Sequence, residues 1–160
     1  MLKGAFQVSR CVSLTLGPGG RNVLMNTAQN SDDAQSVLSG KIQPVSITKD
    51  GVTVGRSLTR YSTECRLENI GAKLIIDAAE RSNEECGDGT TTASIIAGYI
   101  MKEGSKLLVG NSSLNSVELR RGILTAVETL CKVLDSVSKP FNSVSDPLLR
   151  SVALVSSNND

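Results

Sequence analysis

Six apolar residues, Leu119, Ile123, Ala126, Leu130, Val133 and Val137, follow one another at steps of four, three, four, three and four. That spacing keeps pace with the roughly 3.6-residue turn of an α-helix, so the segment predicts one helix with a single apolar face, ending before Pro140. The same period appears in Leu67, Ile70, Leu74, Ile75 and Ala78, which predicts a helix over 66–83, and in Ile96, Ile100 and Leu107, which places another from Thr90 to about 108. Residues 2–15 carry Leu2, Ala5, Phe6, Val12 and Leu14 in a looser helical arrangement. Pro147 with Ser145 or Asp146 ahead of it reads as a helix start. A chain patterned this way folds mainly as α-helix.

The β content is small. "NVLM" reads as a short strand, and "VSITKDGVTV" reads as two more, Val45 to Thr48 and Val52 to Val54, turning at Lys49-Asp50-Gly51. Asp-Gly between β-formers is a strong hairpin signal. Between these segments, residues 26–43 are polar and small, an exposed loop or insertion. "GNSSLNS" is a loop that carries capping residues.

Composition narrows the function classes. At 160 residues the chain has the size of one domain or of a piece of a larger one, long enough to bury a sizeable core. Phe6, Phe141, Tyr61 and Tyr99 are its aromatics and tryptophan is absent, so the core has to be built from Leu, Ile, Val and Ala. Seventeen basic against sixteen acidic residues produce no field that would point to nucleic acid or an acidic membrane. Stacking platforms for single strands need more aromatics than these. Histidine is absent, which removes His-based catalysis and most zinc sites. Cys11, Cys65, Cys86 and Cys131 form no C-x-x-C pair; they are expected to be small buried hydrophobes in a reducing compartment. No run approaches the ~20 apolar residues of a membrane span. The N-terminus reads as an amphipathic helix, not a secretion signal.

Three glycine-containing turns remain: "TLGPGGRN", "TKDG" and "GDGTTT". The third is the most informative. Threonine stiffens at χ1 and is a mediocre helix former, yet three of them open a helix here. The glycines allow close backbone approach, and the amides of Gly89 to Thr92 would face outward at a helix N-terminus, an anion site. Asp88 beside such a cradle makes sense with Mg²⁺ between the two. No Gly-Lys-Ser/Thr follows, so this is not the Walker arrangement. Each turn also has a plain structural reading: Asp88 as an N-cap, "TKDG" as a hairpin turn, "LGPGG" as a helix stop.

In this order, with "MLKG", "GRNVLM", "ITKDGVTV", "ENIGAKLI", "GDGTTTASIIA", "LRRGI" and "VSSNND", the chain resembles the group I chaperonins, the Hsp60 and GroEL-type proteins, over nearly its whole length. The resemblance implies that residues 1–160 are a partial equatorial ATP-binding domain, part of a helical bundle with a small β-hairpin near the N-terminus. It implies ATP with Mg²⁺ and K⁺ as ligands, heptameric rings of like subunits, non-native proteins as substrates and a co-chaperonin lid. By the same resemblance Thr15, Leu16, Gly17 and Pro18 match the first nucleotide-contacting turn. Lys49 matches a nucleotide or K⁺-site contact, and Asp50 a carboxylate that assists hydrolysis near the γ-phosphate. Asp88 matches the Mg²⁺ ligand, and Gly87, Gly89, Thr90, Thr91 and Thr92 the phosphate loop.

The departures set the expected limits. Nothing here matches the family's apical or intermediate domain, the principal catalytic aspartate, the second half of the equatorial domain or the segment before "MLKG". Gly19 stands where the family usually has lysine, and the 26–43 loop is longer than usual. The expectation is therefore a partial chaperonin chain that neither folds substrates nor hydrolyses ATP alone. The alternatives are a short paralogue that binds nucleotide or chaperonin subunits, and a degenerate product. The expected compartment is a mitochondrial or plastid matrix, with the cytoplasm as alternative.

Overall fold

Apolar and small residues alternate at helical spacing from the second residue onward, and in the computed structural model they form helix α1 at Leu2–Ser13. The structure describes residues 1–17, 19–26, 45–60, 65–140 and 147–157. The chain divides into two compact units, Met1–Ser105 and Lys106–Asp160.

In the first unit, α1 buries Gly4, Ala5, Val8, Ser9 and Val12, one face at steps of three and four. After Leu14 the chain closes a tight loop in which Arg21 N–H donates to Leu14 C=O at 2.7 Å and Gly20 N–H to Gly17 C=O at 2.9 Å. Gly17 sits at φ +70°, where a side chain would be strained. The loop delivers strand β1, Val23–Asn26, which pairs antiparallel with β2, Val45–Thr48, in the register Val23 to Thr48 and Met25 to Ser46. Met25 is buried while its neighbour Leu24 is exposed, the alternation of a strand with one covered face.

The small antiparallel pair is therefore present, but the partner of Val45–Thr48 is Val23–Asn26 and not Val52 to Val54. Residues Gly51–Arg60 form helix α2. Asp50 explains the change: its carboxylate accepts from Val52 N–H at 3.3 Å and Thr53 N–H at 2.9 Å, and also from the Thr53 hydroxyl. These are N-cap bonds, and they satisfy amides that a helix start leaves unpaired. Val52 and Val54 are buried in the bargain, so packing overrides their β preference. Gly51 is not among the positive-φ glycines, as a two-residue Asp-Gly hairpin turn would require.

Helix α3, Arg66–Cys86, buries Gly71, Ala72, Ile75, Ile76 and Ala79. It meets α1 backbone against backbone: a Cβ on Gly4 would lie 1.9 Å from the Glu68 carbonyl oxygen, and one on Gly71 1.9 Å from that of Met1. Helix α2 packs on both α1 and α3 and touches β1. The shared core is Ala5, Val8, Val12, Met25, Val54, Ala72, Ile75 and Ile76, all without rings, as the scarcity of aromatics requires. Two ion pairs lie at its edge, Lys3 Nζ to Glu68 Oε1 at 3.1 Å and Arg56 Nε to Glu80 Oε1 at 2.7 Å. Helix α4 spans Thr90–Gly110, so the boundary between the units falls within its length. Gly98 of α4 comes up against Ser9 of α1, whose Oγ would be 2.2 Å from an added Cβ.

The second unit holds α5, Ser116–Val137, and α6, Pro147–Ser156. Asn115 caps α5 through its side chain, accepting from Glu118 N–H at 2.8 Å. Asn111 braces the preceding turn by accepting from Ser113 N–H at 3.1 Å. Helix α5 buries none of its residues within the described chain. Pro147 opens α6 as expected, while its candidate caps Ser145 and Asp146 and all but Asn26 of the 26–43 loop lie outside the described residues.

The cysteines differ from expectation. Cys11 is half-buried against the core, but Cys65, Cys86 and Cys131 are exposed, and none of the four forms a disulfide. Each exposed one sits at a helix boundary or on the open face of α5, where packing does not reach. No helix among the described residues is long and apolar enough to cross a membrane.

Candidate functional site

The three glycine turns, far apart in sequence, come together at one end of the first unit. Thr15 at the end of α1 and Thr91 in the first turn of α4 face each other with 3.4 Å between their Oγ1 atoms. Gly51, the first residue of α2, lies against the same threonine: an added Cβ would sit 2.6 Å from Thr91 Oγ1 and 3.2 Å from its Cα. Thr91 is thus the meeting point of all three turns. Gly51 is glycine because two helix N-termini approach here, not because a hairpin turns there.

Thr15 is largely committed to structure. It is buried, its hydroxyl donates to the Val12 carbonyl at 2.8 Å, and it can then only accept from Thr91. Gly20 crowds the same turn, since a Cβ there would be 2.3 Å from the Thr15 carbonyl oxygen. A Cβ on Gly19 would meet nothing within 4 Å, so replacement of the family's usual lysine leaves the turn unstrained.

The loop from Gly87 to Gly89 joins α3 to α4 through two left-handed glycines, at φ +71° and +80°. Gly87 ends α3 with its N–H on the Asn83 carbonyl at 2.9 Å, a left-handed helix cap. Asp88 is exposed, and its Oδ1 accepts from Gly89 N–H at 2.6 Å. The hydroxyl of Ser82, one turn back in α3, donates to the Asp88 carbonyl at 2.9 Å. Ala93 N–H is the first of α4 to find a helical acceptor, the Gly89 carbonyl at 2.9 Å. The amides of Thr90, Thr91 and Thr92 precede it and have no place in the helical ladder.

These groups suit a metal-bridged polyphosphate. Orphan amides and the positive end of the α4 dipole favour phosphate oxygens. The Asp88 carboxylate keeps acceptor capacity beyond its bond to Gly89 and lies at the exposed rim, where a hard cation could take it as ligand. Gly87 has open space where a Cβ would be, so the approach is unobstructed. Asp50 is close by in sequence to Gly51 but acts in this structure as the α2 cap. Lys49 is exposed. Leu16 instead lines a cavity of about 490 Å³ between α1 and α4, with Phe6, Arg10, Ile95, Tyr99 and Lys102. Pro18 lies outside the described residues. Sequence reading placed Gly51 in a hairpin turn and did not single out Ser82. An Asp-Gly pair has a commoner use in hairpins, and a serine near a helix end carries no signal of what its hydroxyl will reach.

A model of the TCP-1/cpn60 chaperonin family matches residues 8–160. The chain belongs to that family. This chaperonin chain is 39% identical over 160 residues to Heat shock protein 60A of Drosophila melanogaster, all of this chain and 24% of that one. It is 38% identical over 160 residues to the mitochondrial chaperonin homolog Hsp-60 of Caenorhabditis elegans, again its full length and 25% of the relative. Against chaperonin GroEL 2 of Cereibacter sphaeroides it is 40% identical over 140 residues, 88% of this chain and 23% of the relative. The crystal structure of the chaperonin gp146 from the bacteriophage EL 2 (Pseudomonas aeruginosa) in the presence of ATP-BeFx matches with a TM-score of 0.70 at 28% identity, covering 99% of this chain and 24% of that one. The chain thus spans about a quarter of the length of the relatives it matches.

Proposed function

We propose that this chain supplies the phosphate- and metal-facing side of an ATP site in an ATP-dependent chaperonin that assists protein folding. The convergence of the Thr15, Gly51 and Thr91 turns beside the Asp88 loop carries the reading, because it sets the unladdered amides that open α4 and the exposed Asp88 carboxylate at one corner. In it, Asp88 is the Mg²⁺ ligand, and Gly87, Gly89 and the amides and hydroxyls of Thr90 to Thr92 receive the phosphates. The turn from Thr15 through Pro18 bounds the nucleotide, Lys49 contacts it or a K⁺ ion, and Asp50 assists at the γ-phosphate when released from its cap. Bound Mg²⁺ would neutralise charge on the phosphate oxygens. Ring assembly with like subunits, engagement of non-native proteins and a co-chaperonin lid belong to the same proposal. So does a mitochondrial location, supported by relatives whose names carry that compartment.

Calorimetry of the purified chain with ATP and Mg²⁺ tests the site. Binding is expected without sustained hydrolysis, and Asp88→Ala should weaken it by more than about tenfold, since even the outer-shell partners of metal ligands are worth that much. Equal affinity in wild type and Asp88→Ala would refute the assignment. Robust Mg²⁺-dependent turnover by the chain alone would refute the expected division of labour.

A further inference from the structure

We infer that Ser82 is a positioning residue for the metal-binding carboxylate of Asp88, an inference that rests on the nucleotide-site reading above. One peptide plane joins the two residues to the carboxylate. Its carbonyl belongs to Asp88 and its N–H to Gly89, and the two point in opposite directions because the peptide is trans. The structure pins both ends: Ser82 Oγ donates to the carbonyl at 2.9 Å, and the N–H donates to Asp88 Oδ1 at 2.6 Å. The glycines on either side of Asp88 have left-handed φ, a region glycine enters and leaves at little cost, so little in the local backbone resists rotation of this plane. Ser82 supplies that resistance from the last turns of α3. Holding the carbonyl toward α3 aims the N–H at the carboxylate, engages Oδ1, and leaves Oδ2 to the cation. The fit is close, since a Cβ on Gly89 would lie 3.3 Å from Ser82 Oγ.

The alternative is that Ser82 only satisfies an exposed carbonyl that water would serve as well. Hydrogen exchange and nucleotide binding on the whole chain separate the two. In the nucleotide-free chain, Ser82→Ala should speed exchange of the Gly89 amide by about three- to tenfold, the worth of one net hydrogen bond, while Ser82→Thr, which keeps the hydroxyl, holds it within about twofold of wild type. With ATP and Mg²⁺, Ser82→Ala should lose about three- to tenfold in affinity, yet bind ATP in EDTA as wild type does. Alanine is the better helix former, so α3 itself is not weakened. Unchanged Gly89 exchange in Ser82→Ala, with Asp88→Ala still abolishing the Mg²⁺ dependence, overturns the inference and leaves the site standing. Equal loss with and without Mg²⁺ overturns it too, as a merely structural effect. Mg²⁺ dependence that survives Asp88→Ala removes the site reading and this inference together.

Discussion

Helices α3 and α5 are near twins in sequence terms, 21 and 22 residues long, each with an apolar stripe. Their surroundings differ completely. Ile75 of α3 is fully buried among α1, α2 and β1, whereas Leu130 of α5 is 60% exposed. Glycines show the same contrast. Gly71 of α3 lies hard against the Met1 carbonyl, but Gly122 of α5 has nothing within 4 Å of where its Cβ would be. Periodicity reports that a helix has an apolar face. Only neighbours decide whether water is removed from it, and the free energy lies in that removal.

The sharpest test of the contrast is truncation. Ile75→Ala should cost about 2–5 kcal/mol in urea unfolding, a transfer and cavity penalty together. Leu130→Ala should stay within about 0.5 kcal/mol, as at other open surface positions. Equal losses would mean that the α5 face is covered in solution, and the contrast would collapse. Glycine replacement should reverse sign between the helices. Gly71→Ala forces α1 off α3 and is expected to lose about 1–3 kcal/mol through overpacking. Gly122→Ala should gain about 0.5–1 kcal/mol from helix propensity alone, read as a raised Tm.

Capping should erase the difference, because a cap acts within its own first turn. Asp50→Ala and Asn115→Ala are each expected to cost about 1 kcal/mol, by chemical denaturation followed through helix circular dichroism. A far larger loss at Asp50 would show that its carboxylate also holds the junction at Gly51 and Thr91. The smallest effect is expected at the ion pair. Lys3→Ala should change stability by less than about 0.5 kcal/mol, since Lys3 is well exposed and such pairs are screened.

Much of the architecture was legible. The helices at Leu2–Ser13, Arg66–Cys86, Thr90–Gly110, Ser116–Val137 and Pro147–Ser156 were each expected from apolar spacing or start signals, although the one expected over 66–83 runs on to Cys86. The segment after Asp50 was misread because Val52, Thr53 and Val54 carry β preference, while what decided it was a carboxylate able to cap and a core able to take two valines. Family membership was legible too, through glycine turns whose order is more specific than any one of them. The candidate site was legible in part. Asp88 and the threonine run stood out by residue type, since glycines and a carboxylate before a helix announce themselves. The roles of Gly51 and Ser82 did not, because each depends on a partner brought close by folding.

Local chemistry and spacing were enough to establish a mainly helical chain, an aliphatic core and three glycine-containing turns, since these depend on near neighbours along the backbone. The tertiary structure alone placed Thr15 within 3.4 Å of Thr91 across 76 residues of chain, made Gly51 a close-approach position, and bent Ser82 onto the Asp88 carbonyl. Contacts such as those at Thr91 arise from how the ends of α1, α2 and α4 come together, and that depends on shapes that meet only once the chain has folded.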